Sequence, residues 1–153
     1  MRASSATSKK TRKPLNEHVH VHVLVLVLGT QLHLAPGEAP AMLDYERLDV
    51  YRCAVEHLAF VFKTIPLLPR GFAALGDQWR RAATSISMNI AEAVGKPSRA
   101  DRMNKFAIAR GEAMECGAIL DVVRLLDVVE DADLDRSKVL IVRIVEMLSK
   151  LCR

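Results

Sequence analysis

The sequence has few aromatic residues, four Phe, two Tyr and one Trp in 153 positions, and little Gly or Pro, seven and six residues respectively. Sandwiches and barrels need many aromatic and turn-forming residues, so this scarcity points away from a β architecture. Cysteine is scarce as well. Cys53, Cys116 and Cys152 are odd in number, far apart and free of CxxC or zinc spacing. That excludes a disulfide framework and a Cys-based zinc site, and suits reduced, packed thiols in a cytoplasmic protein. A glycine-rich phosphate loop, a Walker lysine and a Ser-His-Asp order are all missing. No apolar run is long enough to span a bilayer, so no membrane partner is expected.

What remains is rich in Ala, Val, Leu, Met, Glu and Arg, half of it apolar, and the length allows one domain with a real core. The expectation is an all-α protein. The formal net charge is +4, unevenly spread. Residues 1–41 contribute five cations against two acids, residues 70–110 eight against three, and residues 111–153 six against nine. A basic band beside an acidic end suits a surface that meets nucleic acid or an acidic partner, and equally suits ordinary solvated helix faces.

Residues 1–41 differ in kind from the rest. A polar, basic opening is followed by HVHVHVLVLVLG, His18 to Gly29, with strict period two, and then by LAPGEAPA. Three readings compete. Basic residues ahead of an apolar run and Ala39-Pro40-Ala41 resemble a secretory signal, but His20 and His22 sit inside the apolar core, and Pro36 and Glu38 lie near the cleavage point. His18, His20 and His22 would share one face of a strand, yet three imidazoles on a loose arm hold a metal weakly. The preferred reading is a translated six-base repeat, since His, Val and Leu codons can differ by one base. It makes residues 1–41 a disordered or non-native arm and Met42 the working start.

From Met42 the periodicity becomes helical. Leu48, Tyr51, Val55, Leu58, Phe62 and Ile65 alternate by three and four, starting near Asp44 and stopped by Pro66 and Pro69. Phe72, Leu75, Trp79, Ala82, Ile86, Asn89 and Ala93 form a second stripe, closed by Gly95 and Pro97. A third helix opens at Ser98, with Asp101 resembling its capping partner, and runs to about Val128. Its inner stripe is Met103, Phe106, Ala109, Ala113, Cys116, Gly117, Leu120 and Val123. A second stripe, Ile108, Ile119, Val122 and Leu126, is more than one core can use and predicts burial against another copy of the chain. The fourth helix follows the acidic turn Glu130–Asp133, with Leu134, Ile141, Ile144, Leu148 and Leu151 on its stripe. Short connections make residues 42–153 an up-down-up-down four-helix bundle.

The constellations within it favour binding over catalysis. Glu92, Glu112 and Glu115 resemble the carboxylates of a di-metal bundle, but Glu-x-x-His occurs nowhere from Met42 onward, and Cys53 with His57 supplies only two ligands. No metal, cofactor or enzyme activity is expected. Arg80, Arg81, Lys96, Arg99, Arg102, Lys105 and Arg110 surround the junction of the second and third helices and are the nucleic-acid-binding candidates, through phosphate contacts. Trp79 and Phe106 lie on seams and leave no aromatic for base stacking. Ser85, Asn89 and Glu92 stack at helical spacing and, with Glu115, read as a buried polar network that fixes helix register. Glu92 has Lys96 at i+4, with Arg81 or Arg110 as alternative partners.

From Tyr45 to Leu151 the chain resembles the four-helix bundle family that includes the 23S rRNA intervening-sequence protein and the accessory variability determinant of diversity-generating retroelements. The resemblance rests on YERLDVYRCAVEHL, RRAATSISMNIAEAVGKPSRADRMNKF and AIARGEAMECGAIL. The matching positions are Ser85, Ile86, Asn89, Ile90, Ala91, Glu92, Gly95, Phe106, Ala109, Gly111 and Glu115. Ala93 replaces a customary Gly, Lys96 and Lys105 replace Arg, and Glu112 replaces Ser. The resemblance implies a non-enzymatic homo-oligomer, a homopentamer in characterised relatives, with a basic surface for RNA or DNA and a reverse transcriptase as partner in retroelement members. A module that meets only proteins is the alternative.

Overall fold

A computed structural model describes residues 41–153, and the His18–Gly29 repeat lies outside them. A 3-10 turn at Asp44–Arg47 leads into α1 (Asp49–Thr64), which ends in another at Ile65–Leu67. Then follow α2 (Ala73–Gly95), α3 (Arg99–Leu125) and α4 (Asp131–Leu151). No strand occurs among the described residues. Each helix packs on its neighbours in sequence, and α4 closes back on α1, giving an up-down-up-down four-helix bundle.

The boundaries have local causes. Pro66 and Pro69 cannot continue α1, and Gly71 turns the chain with φ of 103°, a value costly for residues with a Cβ. Beyond Gly95, Lys96 is extended ahead of Pro97, as the residue before a proline prefers. Ser98 caps α3, its Oγ accepting from the Asp101 amide at 3.4 Å. Asp127, at φ 49°, turns the chain out of α3, and Asp131 and Asp133 place negative charge on the first turn of α4.

One expected stripe is rotated in the structure and a second is widened. The first helix does not run unbroken from Asp44, because Leu48 is extended. Its buried line is Val50, Cys53, Ala54, His57, Val61 and Thr64, while Phe62 from the expected stripe is half exposed. Its polar members are satisfied there, Thr64 within its own helix and His57 across the core. Thr64 Oγ1 donates to the Phe60 carbonyl at 2.9 Å, and His57 Nδ1 pairs with Ser137 Oγ of α4 at 2.9 Å. In α2 the enclosed residues are Gly76, Trp79, Ala82, Ala83, Ile86, Ser87, Ile90 and Ala93. Asn89 sits half-buried beside the seam. Its Nδ2 donates to the Ser85 carbonyl at 2.8 Å and lies 3.0 Å from Ser85 Oγ, both inside its own helix. The α3 stripe agrees with expectation from Phe106 to Val123, with Ile119 also drawn into the core. Small residues let the helices approach: a Cβ on Gly117 would stand 3.4 Å from Ile141 of α4.

Trp79 is fully buried, its ring 5.9 Å from that of Phe60 and 6.3 Å from that of His57. His57 Nε2 and Trp79 Nε1 are buried with no hydrogen-bond partner among the described residues. With no counter-ion, burial lowers the His57 pKa to about 4 from its ordinary 6.5. The imidazole is therefore neutral at pH 7, and Ser137 accepts from or donates to a single tautomer.

Two measurements follow. The folded state resists protonation of His57, so its contribution to stability is complete above about pH 6.5, falls as pH drops towards 4, and is flat below that. Denaturant titrations should show the wild type losing about 3 kcal/mol over that interval relative to His57→Gln; parallel curves would refute the neutral buried imidazole. Gly71→Ala meets no atom within 4 Å, so its cost is conformational, about 1 to 2 kcal/mol by chemical denaturation.

Candidate nucleic-acid interface

Antiparallel packing fixes which charges meet. The C-terminal ends of α2 and α4 and the N-terminal end of α3 share one end of the bundle, so Lys96, Arg99, Arg102 and Lys105 gather there with Lys150 and Arg153. Arg99 Nη2 donates to the main-chain oxygen of Arg153 at 2.7 Å, which ties the two chain regions together. Lys150 and Arg153 escaped the sequence reading because they are some fifty positions from the basic band. The available signal was topological: in an up-down-up-down bundle the end of the fourth helix returns to the junction of the second and third.

At that junction Arg102 Nη2 donates to the Lys96 carbonyl at 3.2 Å, a cation set on the negative end of α2. Glu92, on the last turns of α2, takes Lys96 Nζ at 3.0 Å and Lys105 Nζ of α3 at 2.9 Å. Bonding to Lys105 first and Lys96 second holds its carboxyl below the usual carboxylate range. The i+4 partner agrees with expectation, whereas the second partner is Lys105, neither Arg81 nor Arg110.

The other three candidates lie elsewhere. Arg80 and Arg81 sit more than about 20 Å along α2 from Lys96. Arg80 pairs with Asp77 at 3.0 Å, and Arg81 donates to Gln78, which in turn donates to Glu115. With Thr84, Ser85 and Met88 the two arginines line a shallow, open groove. Arg110 reaches across to α4, where its Nη1 lies 3.3 Å from Ser149 Oγ. The seven cations thus form an end cluster of four and two separate outposts.

The expected polar network is likewise divided. Ser85 and Asn89 bond to each other, Glu92 to the two lysines, and Glu115 to Gln78. The column is a set of surface and half-buried pairs, because Asn89 lies one position off the seam. No group of three or more His, Cys, Asp or Glu placed to hold a metal occurs among the described residues. Cys53, Cys116 and Cys152 are free thiols; burial pushes Cys116 up to about 12 and raises Cys53, so both are protonated at neutral pH. Trp79 and Phe106 are buried and offer no ring for base stacking.

The opposite end is acidic and internally matched. Arg124 is held between Asp131 at 2.8 Å and Asp135 at 2.6 Å, and Lys138 between Asp121 at 2.7 Å and the Gly117 carbonyl at 3.0 Å. The acidic run of α4 therefore spends part of its charge on holding α3.

Comparison with known proteins fits this architecture. A crystal structure of a protein of unknown function from the S23 ribosomal protein family of Bacteroides thetaiotaomicron superposes with a TM-score of 0.61 at 24% identity, over 68% of this chain and 98% of that one. That likeness concerns the fold. No curated protein matches the chain. The family described as 23S rRNA-intervening sequence protein matches residues 46–150, which takes in all but the edges of the bundle. The chain belongs to the 23S rRNA-intervening sequence protein family.

Proposed function

We propose that this protein is a non-enzymatic, oligomeric accessory or scaffold protein of the cytoplasm that binds RNA or DNA electrostatically through the basic end of its bundle. The observation that carries the reading is the gathering of Lys96, Arg99, Arg102 and Lys105 with Arg153 at one end, in a chain whose family is named for an rRNA insert. Arg102 bonds to a neutral carbonyl and keeps its charge for an outside anion. With no exposed aromatic beside them, contact is to phosphates, tolerant of sequence and sensitive to salt.

Assembly into a homo-oligomer, a pentamer by the family resemblance, is supported by apolar side chains left in water. Ile108, Met114, Val122 and Leu125 of α3 and Val139 and Val142 of α4 are exposed, Leu125 at 83%. One four-helix core has no use for them, and a second copy would cover them. A reverse transcriptase is the protein partner this reading allows in a retroelement setting. No described helix is long and apolar enough to cross a membrane.

Fluorescence anisotropy of single-stranded RNA and duplex DNA with the full chain tests the reading. Four phosphate contacts give a slope of log affinity against log salt of about −3 on single strands. Arg99→Ala with Arg102→Ala should flatten it by roughly 1.4. Absence of binding at low ionic strength defeats the proposal and favours a module that meets only proteins. Light scattering gives the mass independently: five chain masses are expected, and a monomer would remove the oligomer.

A further inference from the structure

The cations at the basic end are satisfied in two ways. Arg99 and Arg102 donate to main-chain oxygens, whereas Lys96 and Lys105 share one side-chain carboxylate, each taking a different oxygen: Oε1 at 3.0 Å and Oε2 at 2.9 Å. Glu92 is the one side-chain carboxylate paired with this cluster by an ion pair among the described residues. The lysine side chains are 37% and 26% exposed, so packed stems from two helices hold both ammonium groups towards one point. Glu92 itself is exposed and can swing into water without uncovering any core.

A phosphodiester carries one negative charge on two non-bridging oxygens, set apart much as in a carboxylate. We infer that Lys96 and Lys105 form a phosphate seat occupied in the free protein by the Glu92 carboxylate, and that a nucleic-acid phosphate binds there by displacing Glu92 into solvent. This rests on the proposed function and names the site and its selectivity. A tethered carboxylate competes at a high effective concentration, so a lone phosphate displaces it poorly. A strand already held by Arg99 and Arg102 delivers its next phosphate with a comparable advantage. The seat thereby favours chains of phosphates over single ones. No covalent step is involved.

The test compares the full-length wild type, Glu92→Gln, and Glu92→Gln combined with Lys105→Ala. The probes are inorganic phosphate, tripolyphosphate and a single-stranded RNA, followed by anisotropy for RNA and by the side-chain NMR signals of Lys96 and Lys105 for all three. Glu92→Gln keeps the side chain's shape and should bind RNA roughly three- to tenfold tighter, with a salt slope steeper by about 0.7. Inorganic phosphate should move the lysine signals in Glu92→Gln and leave the wild type unmoved, and the added Lys105→Ala should abolish the gain. RNA bound equally well or more weakly by a folded Glu92→Gln protein overturns the seat and leaves nucleic-acid binding standing. If no protein binds RNA while tripolyphosphate moves both lysines more in Glu92→Gln, the seat stands and its ligand is a free polyphosphate. Lysine signals unmoved by any probe overturn it outright.

Discussion

The indole of Trp79 is the largest side chain wholly enclosed by the bundle, and enclosing it fixes where three helices must meet. Phe60 packs its edge from α1, and His57 lies alongside, bonded to Ser137 of α4. An apolar contact alone fixes the rotation of α1 less closely, since Tyr51, Val55, Leu58 and Phe60 beside its buried line are apolar as well. The His57–Ser137 hydrogen bond removes that freedom, because rotation would strand a buried imidazole without its partner. Register in this fold is therefore held by polar chemistry inside α1 and α4, and the Ser85–Asn89 pair on α2 takes no part in it.

With that closure set, the antiparallel order of the helices sorts the charges. Acids of α4 meet Arg124 and Lys138 at one end and neutralise them, while the other end collects cations from α2, α3 and α4. Surface ion pairs of this kind contribute little to folding, so their arrangement bears chiefly on what the surface attracts. Glu92 is the counterweight within the basic end, and whether an outside anion gains both lysines depends on that one side chain.

Much of the architecture was legible in advance. Helix stops at Pro66, Pro69, Gly95 and Pro97, the Ser98 cap and the α3 stripe from Phe106 to Val123 are local or strongly periodic, and local signals survive folding. The face of α1 was not legible, because His57 and Thr64 count as polar in any periodicity and only a partner eighty residues away makes His57 a core residue. Asn89 misled in the opposite sense: spacing put it on the seam, where the buried face takes Ile90 while Trp79, Ala82, Ile86 and Ala93 keep their expected places.

The sequence by itself determined an all-α chain, its four helices, their order and the identity of the basic band, since propensity, capping and apolar period act over a few residues at a time. Only the tertiary structure decided which of those cations stand together. It separated Arg80, Arg81 and Arg110 from the end cluster, brought Arg153 to Arg99, and gave Glu92 a second lysine from another helix. The reason is geometric: one helix spreads its charges over its own length and circumference, and a shared surface exists only once neighbouring helices fix each other's rotation and ends.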